Sequence, residues 1–259
     1  MATTPAADAV HEELVHLRVD GPVATVTLDS PHNRNALSRR LVTELADRLA
    51  RAEADEDVRV VRLVSSGRVF CSGADLAEAA AEGMSAGTRA IVDLQRFVVG
   101  MSKPVVTVVR GAARAGGIGL VAASDVVVAA EDATFALTEV KLGLAPAIIS
   151  LTVLPRLTSR AAAYAALSGA VFTGAEAVPM GLVTRAVPAE DLDAAVEAVC
   201  AELATGSPQG LRETKALLAR DLLARIEADA DEMAELSARL FGSDAAREAM
   251  QAFLSRPRS

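Results

Sequence analysis

The chain has 259 residues, long enough to bury a full core without disulfides or metals, since a fold of this size removes roughly 70–75% of the surface its unfolded chain exposes. Apolar residues at 51% against 23% charged exclude disorder over most of the length, and 3% aromatics with no Trp exclude an aromatic platform for single-stranded nucleic acid. A net charge of −8 has the wrong sign for a nucleic-acid binder, so an anionic ligand must be met by local basic groups or helix N-termini.

Residues 1–12 carry neither a basic flank nor an apolar h-region and read as a tail, and no apolar run reaches the length of a membrane span. A soluble cytoplasmic protein that contacts neither nucleic acid nor membrane is expected. Residues 13–29 alternate around Asp20-Gly21, a hairpin signal. Leu37, Leu41, Leu45 and Leu49 recur every four residues with Ser38 as N-cap, predicting a helix over 37–54. Residues 58–66 read as a strand, and the small, Gly-interrupted stretch 80–88 reads as a mobile loop. A helix over 89–100 and a strand over 105–109 follow. A Gly-rich stretch over 111–119 then leads into a helix over 116–123, and an apolar strand covers 125–130. This alternation predicts an α/β fold with parallel pairing.

Beyond about residue 188 the strands stop. Helical patterns cover 189–204, 208–224, 226–241 and 244–254, with Pro208 and Asp244 at two of their starts. The expected organisation is a tail over 1–12, an α/β core over 13–200 and a helical region over 201–259. The stripe Leu222, Ile226, Met233, Leu236 and Leu240 faces either its own core or a partner subunit.

The chemistry is reached by elimination. Cys71 and Cys200 cannot make a disulfide scaffold, and no cluster has metal-ligand spacing. The histidines His11, His16 and His32 all precede residue 33, and no G-x-S-x-G elbow exists. Cys71 reads more readily as a small buried hydrophobe than as a nucleophile. Gly117-x-Gly119-x-x-Ala122 imitates a dinucleotide fingerprint, but it lies mid-chain and seven residues past its strand. Two Gly-rich loops that enter helices remain, 69–76 and 111–119. They suit either tight helix–strand packing or a pair of backbone amides converging on one oxygen, an oxyanion hole for an enolate.

The stretches SGRVFCSGADL (66–76) and KPVVTVVRGAARAGGIGLVAASDVVVAAEDATFALTEVKLGLAP (103–146) resemble the enoyl-CoA hydratase/isomerase, or crotonase, superfamily. NRNALS (33–38), GAEAVPMGLVTRAVP (174–188) and AREAMQAFL (246–254) add to the resemblance, which covers about residues 13–255. It implies a spiral of ββα turns and C-terminal helices that build homotrimers, often paired into homohexamers. It also implies an acyl-CoA thioester as substrate, with coenzyme A part of that substrate and no separate cofactor or metal. The oxyanion amides fall on Ala74 and Gly116. Asp75 and Leu76, with Ala36 and Ser72, fall along the coenzyme A path, and Arg34 falls where the family often sets a basic residue near the phosphates.

The resemblance places two catalytic Glu in the best-known hydratases, and here only Glu139 is kept; the other position is Gly119. Restoring a Glu at Gly119 is therefore expected to raise hydration. With one carboxylate, hydration of the 2,3 double bond is the favoured expectation, because the segment 138–150 resembles a one-Glu subgroup of hydratases. A 3,2-enoyl-CoA isomerase using the same Glu, and a catalytically weak acyl-CoA binder, are the alternatives. Dienoyl-CoA isomerases carry an Asp two residues past the Glu, where this chain has Lys141, and hydroxyacyl-CoA hydrolases carry an Asp at the position of Ala147. The branched residues of Pro146–Ser150 are expected to narrow the acyl pocket.

Overall fold

The computed structural model describes residues 13–82 and 84–255; the expected tail over 1–12 lies outside them. The Asp20-Gly21 signal produces its hairpin. β1 (Val15–Asp20) and β2 (Val23–Leu28) pair antiparallel with Asp20 opposite Val23, and Gly21 takes the φ of +53° that such a turn demands. Along β2 Ala24, Val26 and Leu28 are buried while the residues between them are half-exposed, the period-two pattern of a strand with one face on the core. α1 (Arg39–Ala54) starts at Ser38, whose hydroxyl accepts the Leu41 amide, and its buried face is Leu41, Val42, Leu45, Leu49 and Ala52.

Four more strands extend the hairpin: β3 (Val60–Ser65), β5 (Val105–Val109), β7 (Val126–Ala130) and β10 (Arg185–Val187). The order is β1-β2-β3-β5-β7-β10, parallel from β2 onward. Between them the chain crosses to a second sheet of short strands, β4 (Val69–Cys71), β6 (Ala112–Arg114), β8 (Thr134–Ala136) and β9 (Phe172–Thr173). Helices follow each crossing: α2 (Leu76–Glu82) and α3 (Ser85–Gly100) after β4, α4 (Gly116–Ala123) after β6, and α5 (Ala147–Arg156) after β8. This strand–strand–helix repeat is the expected spiral of ββα turns. α6 (Ser159–Ser168), α7 (Gly174–Met180), α8 (Leu192–Ala204), α9 (Pro208–Phe241) and α10 (Asp244–Leu254) complete the chain.

Two expectations are corrected. The stretch 80–88 is largely helical, with α2 reaching Glu82 and α3 starting at Ser85. Burial of Ile91, Val92, Leu94 and Val98 outweighs the roughly 1 kcal/mol a helix loses at a Gly such as Gly87. Residues 208–241 form a single helix, because no Gly or Pro interrupts them after Gly210. Its apolar stripe serves the chain's own interior: Leu222 and Ile226 enter the main core, Met233 packs on it, and Leu240 packs on a smaller cluster built from Leu144, Ala246 and Met250. Leu217 and Leu218 are the exposed large apolar residues of this helix.

α9 is also tied to the core by a buried cation. Lys215 donates to the carbonyls of Val98 (3.1 Å) and Lys103 (2.9 Å) and to Asp125 Oδ2 (2.7 Å). Burial pulls the Lys215 pKa down, against the opposing pull of Asp125. Among the described residues no helix is long and apolar enough to cross a membrane.

Candidate active site

Two loops meet through Asn35. This buried residue holds a left-handed φ of +52°, a conformation Asn tolerates better than most. Its amide nitrogen donates to the carbonyls of Val69 (2.9 Å) and Phe70 (3.1 Å), and its oxygen accepts the Ser30 amide (2.7 Å). The loop from residue 33 to 38 is thereby laid along the end of β4. Ser72 N donates to Arg34 O, Leu37 N donates to Gly73 O, and Leu37 bridges to Ala74. Asp75 Oδ1 accepts the amides of Ala77 (3.0 Å) and Glu78 (3.2 Å), capping α2, while its Oδ2 accepts from Asn33 (3.2 Å). Arg34, Ala36, Ser72, Ala74 and Asp75 are thus brought together. Arg34 is exposed and has no carboxylate partner among the described residues, whereas Arg39 and Arg40 are engaged with Glu78 and Glu44. Leu76 turns to the small cluster of Leu144, Ala246 and Met250.

The second loop carries Gly116. Ala115 N donates to Ala136 O (3.2 Å), Ile118 N donates to Ala115 O (2.8 Å), and Gly116 opens α4. A Cβ on Gly73, which sits at φ +91°, would lie 3.2 Å from Gly116 N; one on Gly116 would lie 2.9 Å from Leu37 Cδ1 and 3.6 Å from Ala74 N. Only glycine lets the two loops come this close. In the hydrogen bonding of the described residues, neither the Ala74 nor the Gly116 amide finds an acceptor. Gly116 also sits at a helix N-terminus, where the backbone favours negative charge. Two unengaged, adjacent N–H donors are what a developing oxyanion requires.

Glu139 follows β8, whose Ala136 pairs with Arg114 of β6 and accepts the Ala115 amide. It opens a 3-10 turn, Glu139–Leu142, closed by Gly143 at φ +68° with Leu144 N donating to Glu139 O. The side chain is buried, and its Oε2 has no hydrogen-bond partner. Burial pushes its pKa from an ordinary 4.5 up to about 7, opposed only by a bond from its own amide. An ion pair with Lys141 does not form, since Lys141 Nζ is drawn to Gly169 O (2.6 Å).

Gly119, one turn past Gly116, does not leave a vacant carboxylate position. A Cβ there would lie 2.7 Å from Ile149 Cγ2 and 3.0 Å from Gln95 Oε1. Gln95 is itself fixed, accepting from Thr152 Oγ1 (2.7 Å) and donating to the carbonyls of Ile91 and Ile148. The expected gain from a Glu at Gly119 is corrected accordingly, for the space is taken. Cys71 is fully buried with its thiol pushed up to about 12, and Gly117 presses on it, so neither a nucleophile nor a dinucleotide loop is formed. No group of metal-ligating residues gathers among the described residues. Neither Asn35 nor Gln95 is marked out as functional by the sequence, whereas Ile149 lies in the branched segment expected to narrow the pocket, and it does so at Gly119. For Asn35 the signal lies in an Asn inside NRNALS, a residue type suited to left-handed backbone; Gln95 is revealed only by tertiary packing.

The sequence model of the family described as enoyl-CoA hydratase/isomerase matches residues 18–258. An enoyl-CoA hydratase of known structure from Mycobacterium avium is 47% identical with a TM-score of 0.87, over 94% of this chain and 97% of that one. The "Probable enoyl-CoA hydratase" of Bacillus subtilis is 33% identical over 93% of this chain and 96% of its own. A "Delta(3,5)-Delta(2,4)-dienoyl-CoA isomerase, peroxisomal" of Arabidopsis thaliana is 29% identical over 93% of this chain and 92% of its own. The chain belongs to the enoyl-CoA hydratase/isomerase family.

Proposed function

We propose that the protein is an enoyl-CoA hydratase that adds water across the 2,3 double bond of an enoyl-CoA thioester with Glu139 as its one acid–base side chain. The observation that carries this reading is the Glu139 carboxyl, buried, unpartnered at Oε2 and poised at about 7. Such a group holds both protonation states at neutral pH. The oxygen of water bonds to C3, and the π pair shifts toward the thioester oxygen held by the Ala74 and Gly116 amides. The Glu139 proton goes to C2 as the enolate collapses, and a proton from water replaces it on the carboxyl. Relatives named as hydratases support the reaction. Coenzyme A enters as part of the substrate, its phosphates near Arg34, and no further cofactor is called for. The resemblance implies a homotrimer or homohexamer, and the absence of a membrane-length apolar run supports the cytoplasm as its place of work.

One observation favours a second reading. Ile149 and Gln95 close the space at Gly119, so Glu139 has no second carboxylate beside it there. A 3,2-enoyl-CoA isomerase needs no other. The Glu139 carboxylate would take a proton from C2, the dienolate would rest on the two amides, and the proton would return at C4. Lys141 stands where dienoyl-CoA isomerases carry Asp, so the specific reaction of the Arabidopsis relative is not carried over. Mass spectrometry of products from a 2-enoyl-CoA and a 3-enoyl-CoA separates the two readings, since hydration gains one water and isomerisation is mass-neutral. Glu139→Gln should lower either turnover by roughly two to four orders of magnitude while CoA-ester binding survives. Turnover near wild type would remove Glu139 from the mechanism.

A further inference from the structure

We infer that Ala115 is a positioning residue of the oxyanion pair, a strained alanine whose methyl group spaces the loop of Ala74 from the helix of Gly116. The inference rests on the proposed function, and deepens it, by naming what aims the two donors. Ala115 sits at φ +45° and ψ −120°, a conformation natural to glycine and costly to any L side chain. Both of its backbone polar groups are engaged, with Ala136 O and with Ile118 N. The peptide joining Ala115 to Gly116 is planar and trans, so fixing the Ala115 carbonyl on one side aims the Gly116 N–H on the other.

The methyl has its own contact. A Cβ built on Gly73 would come within 2.8 Å of Ala115 Cβ, so the methyl stands against the bare α-carbon of the residue that precedes Ala74. Glycine at 115 would ease the backbone and leave that gap open. Relaxation away from Gly73 is resisted on the β6 side. There the half-buried Arg114 donates to Ala113 O (2.9 Å), Thr134 O (2.5 Å) and Thr134 Oγ1 (2.9 Å). The side chain therefore does what the backbone alone would not, holding the two amides at a set separation.

Ala115→Gly and Ala115→Ser test this with the full-length protein and the enoyl-CoA it turns over best. For the Gly variant, the melting temperature should hold or rise by a few degrees, because relief of strain offsets the freedom glycine adds to the unfolded chain. Its kcat should fall by roughly ten- to a hundredfold, the cost of misplacing reacting groups by about 1 Å, with KM little changed. The Ser variant keeps the Cβ and should stay near wild type in kcat. A Gly variant with wild-type kcat, or one that loses kcat only together with thermal stability, would overturn the inference and leave the proposed function standing. A wild-type protein inert toward every enoyl-CoA offered would instead bring down the proposed function, and this inference with it.

Discussion

Glu139 exists as an acid at a pH where other glutamates are carboxylates. Its pKa of about 7 against an ordinary 4.5 means that the folded protein holds a proton the unfolded chain releases between those values. The stabilisation is therefore fully present below about pH 4.5 and is lost as pH rises through 7, a change of about 3 kcal/mol. Glu139→Gln stays neutral throughout. In urea unfolding it should match wild type near pH 4 and exceed it at pH 8; a variant less stable at pH 8 would mean that the carboxylate has a partner there. The rate carries a sign as well. Hydration begins with the acid form and should weaken as pH rises past 7, whereas proton abstraction at C2 begins with the carboxylate and should strengthen. Gly119→Glu meets Ile149 and Gln95, so it should lower the melting temperature and activity. Ile149→Ala in the same chain should recover part of both, and a Gly119→Glu variant as stable as wild type would show that the wall gives way.

At the level of elements, the first loop depends on one side chain. Asn35→Ala strips hydrogen bonds from Ser30 N, Val69 O and Phe70 O in a buried place, each worth about 1–3 kcal/mol when left unmade. It should lower stability by at least about 2 kcal/mol in urea unfolding, and a surface-like loss below about 0.5 kcal/mol would deny the clamp. What could be read in advance follows the same division between local and distant. The hairpin, α1, β5 and α4 were legible because turn residues, a four-residue stripe, a β-branched run and a Gly-rich entry are written within each segment. The three-residue strands β4, β6 and β8 were not, since they exist only by pairing with one another across stretches of sequence. At the site, Ala74, Gly116 and Glu139 came from the family's motifs, while Ile149 and Gln95 belong to helices α5 and α3 that meet Gly119 only after folding.

For the whole molecule, the stripe on α9 expected to face either its own core or a partner is largely used inside the chain, so the proposed trimer would have to draw on other surface. Exposed apolar residues remain on α6 and just beyond it, Tyr164, Leu167 and Val171, and on α9 at Leu217 and Leu218. Monomeric proteins seldom leave large apolar patches open, although single exposed residues need no explanation. Sedimentation at micromolar concentration should show at least a trimer, and a monomer near 26.7 kDa would contradict the assembly.

Lys215 has a bearing on the order in which the protein is made. Its ammonium group fills a socket formed by Val98 O, Lys103 O and Asp125, all of which emerge from the ribosome long before it does. Until residue 215 arrives, Asp125 lacks its buried cation, and the carbonyls of Val98 in α3 and Lys103 ahead of β5 lack this hydrogen-bond donor. A nascent chain that stops at the last strand, with every β-pairing already available, still has that socket open. Completion of the fold thus waits on a helix that contributes nothing to either sheet. A chain released before residue 215 would leave the ribosome with the Asp125 carboxylate still accepting the Val105 amide but without its cation.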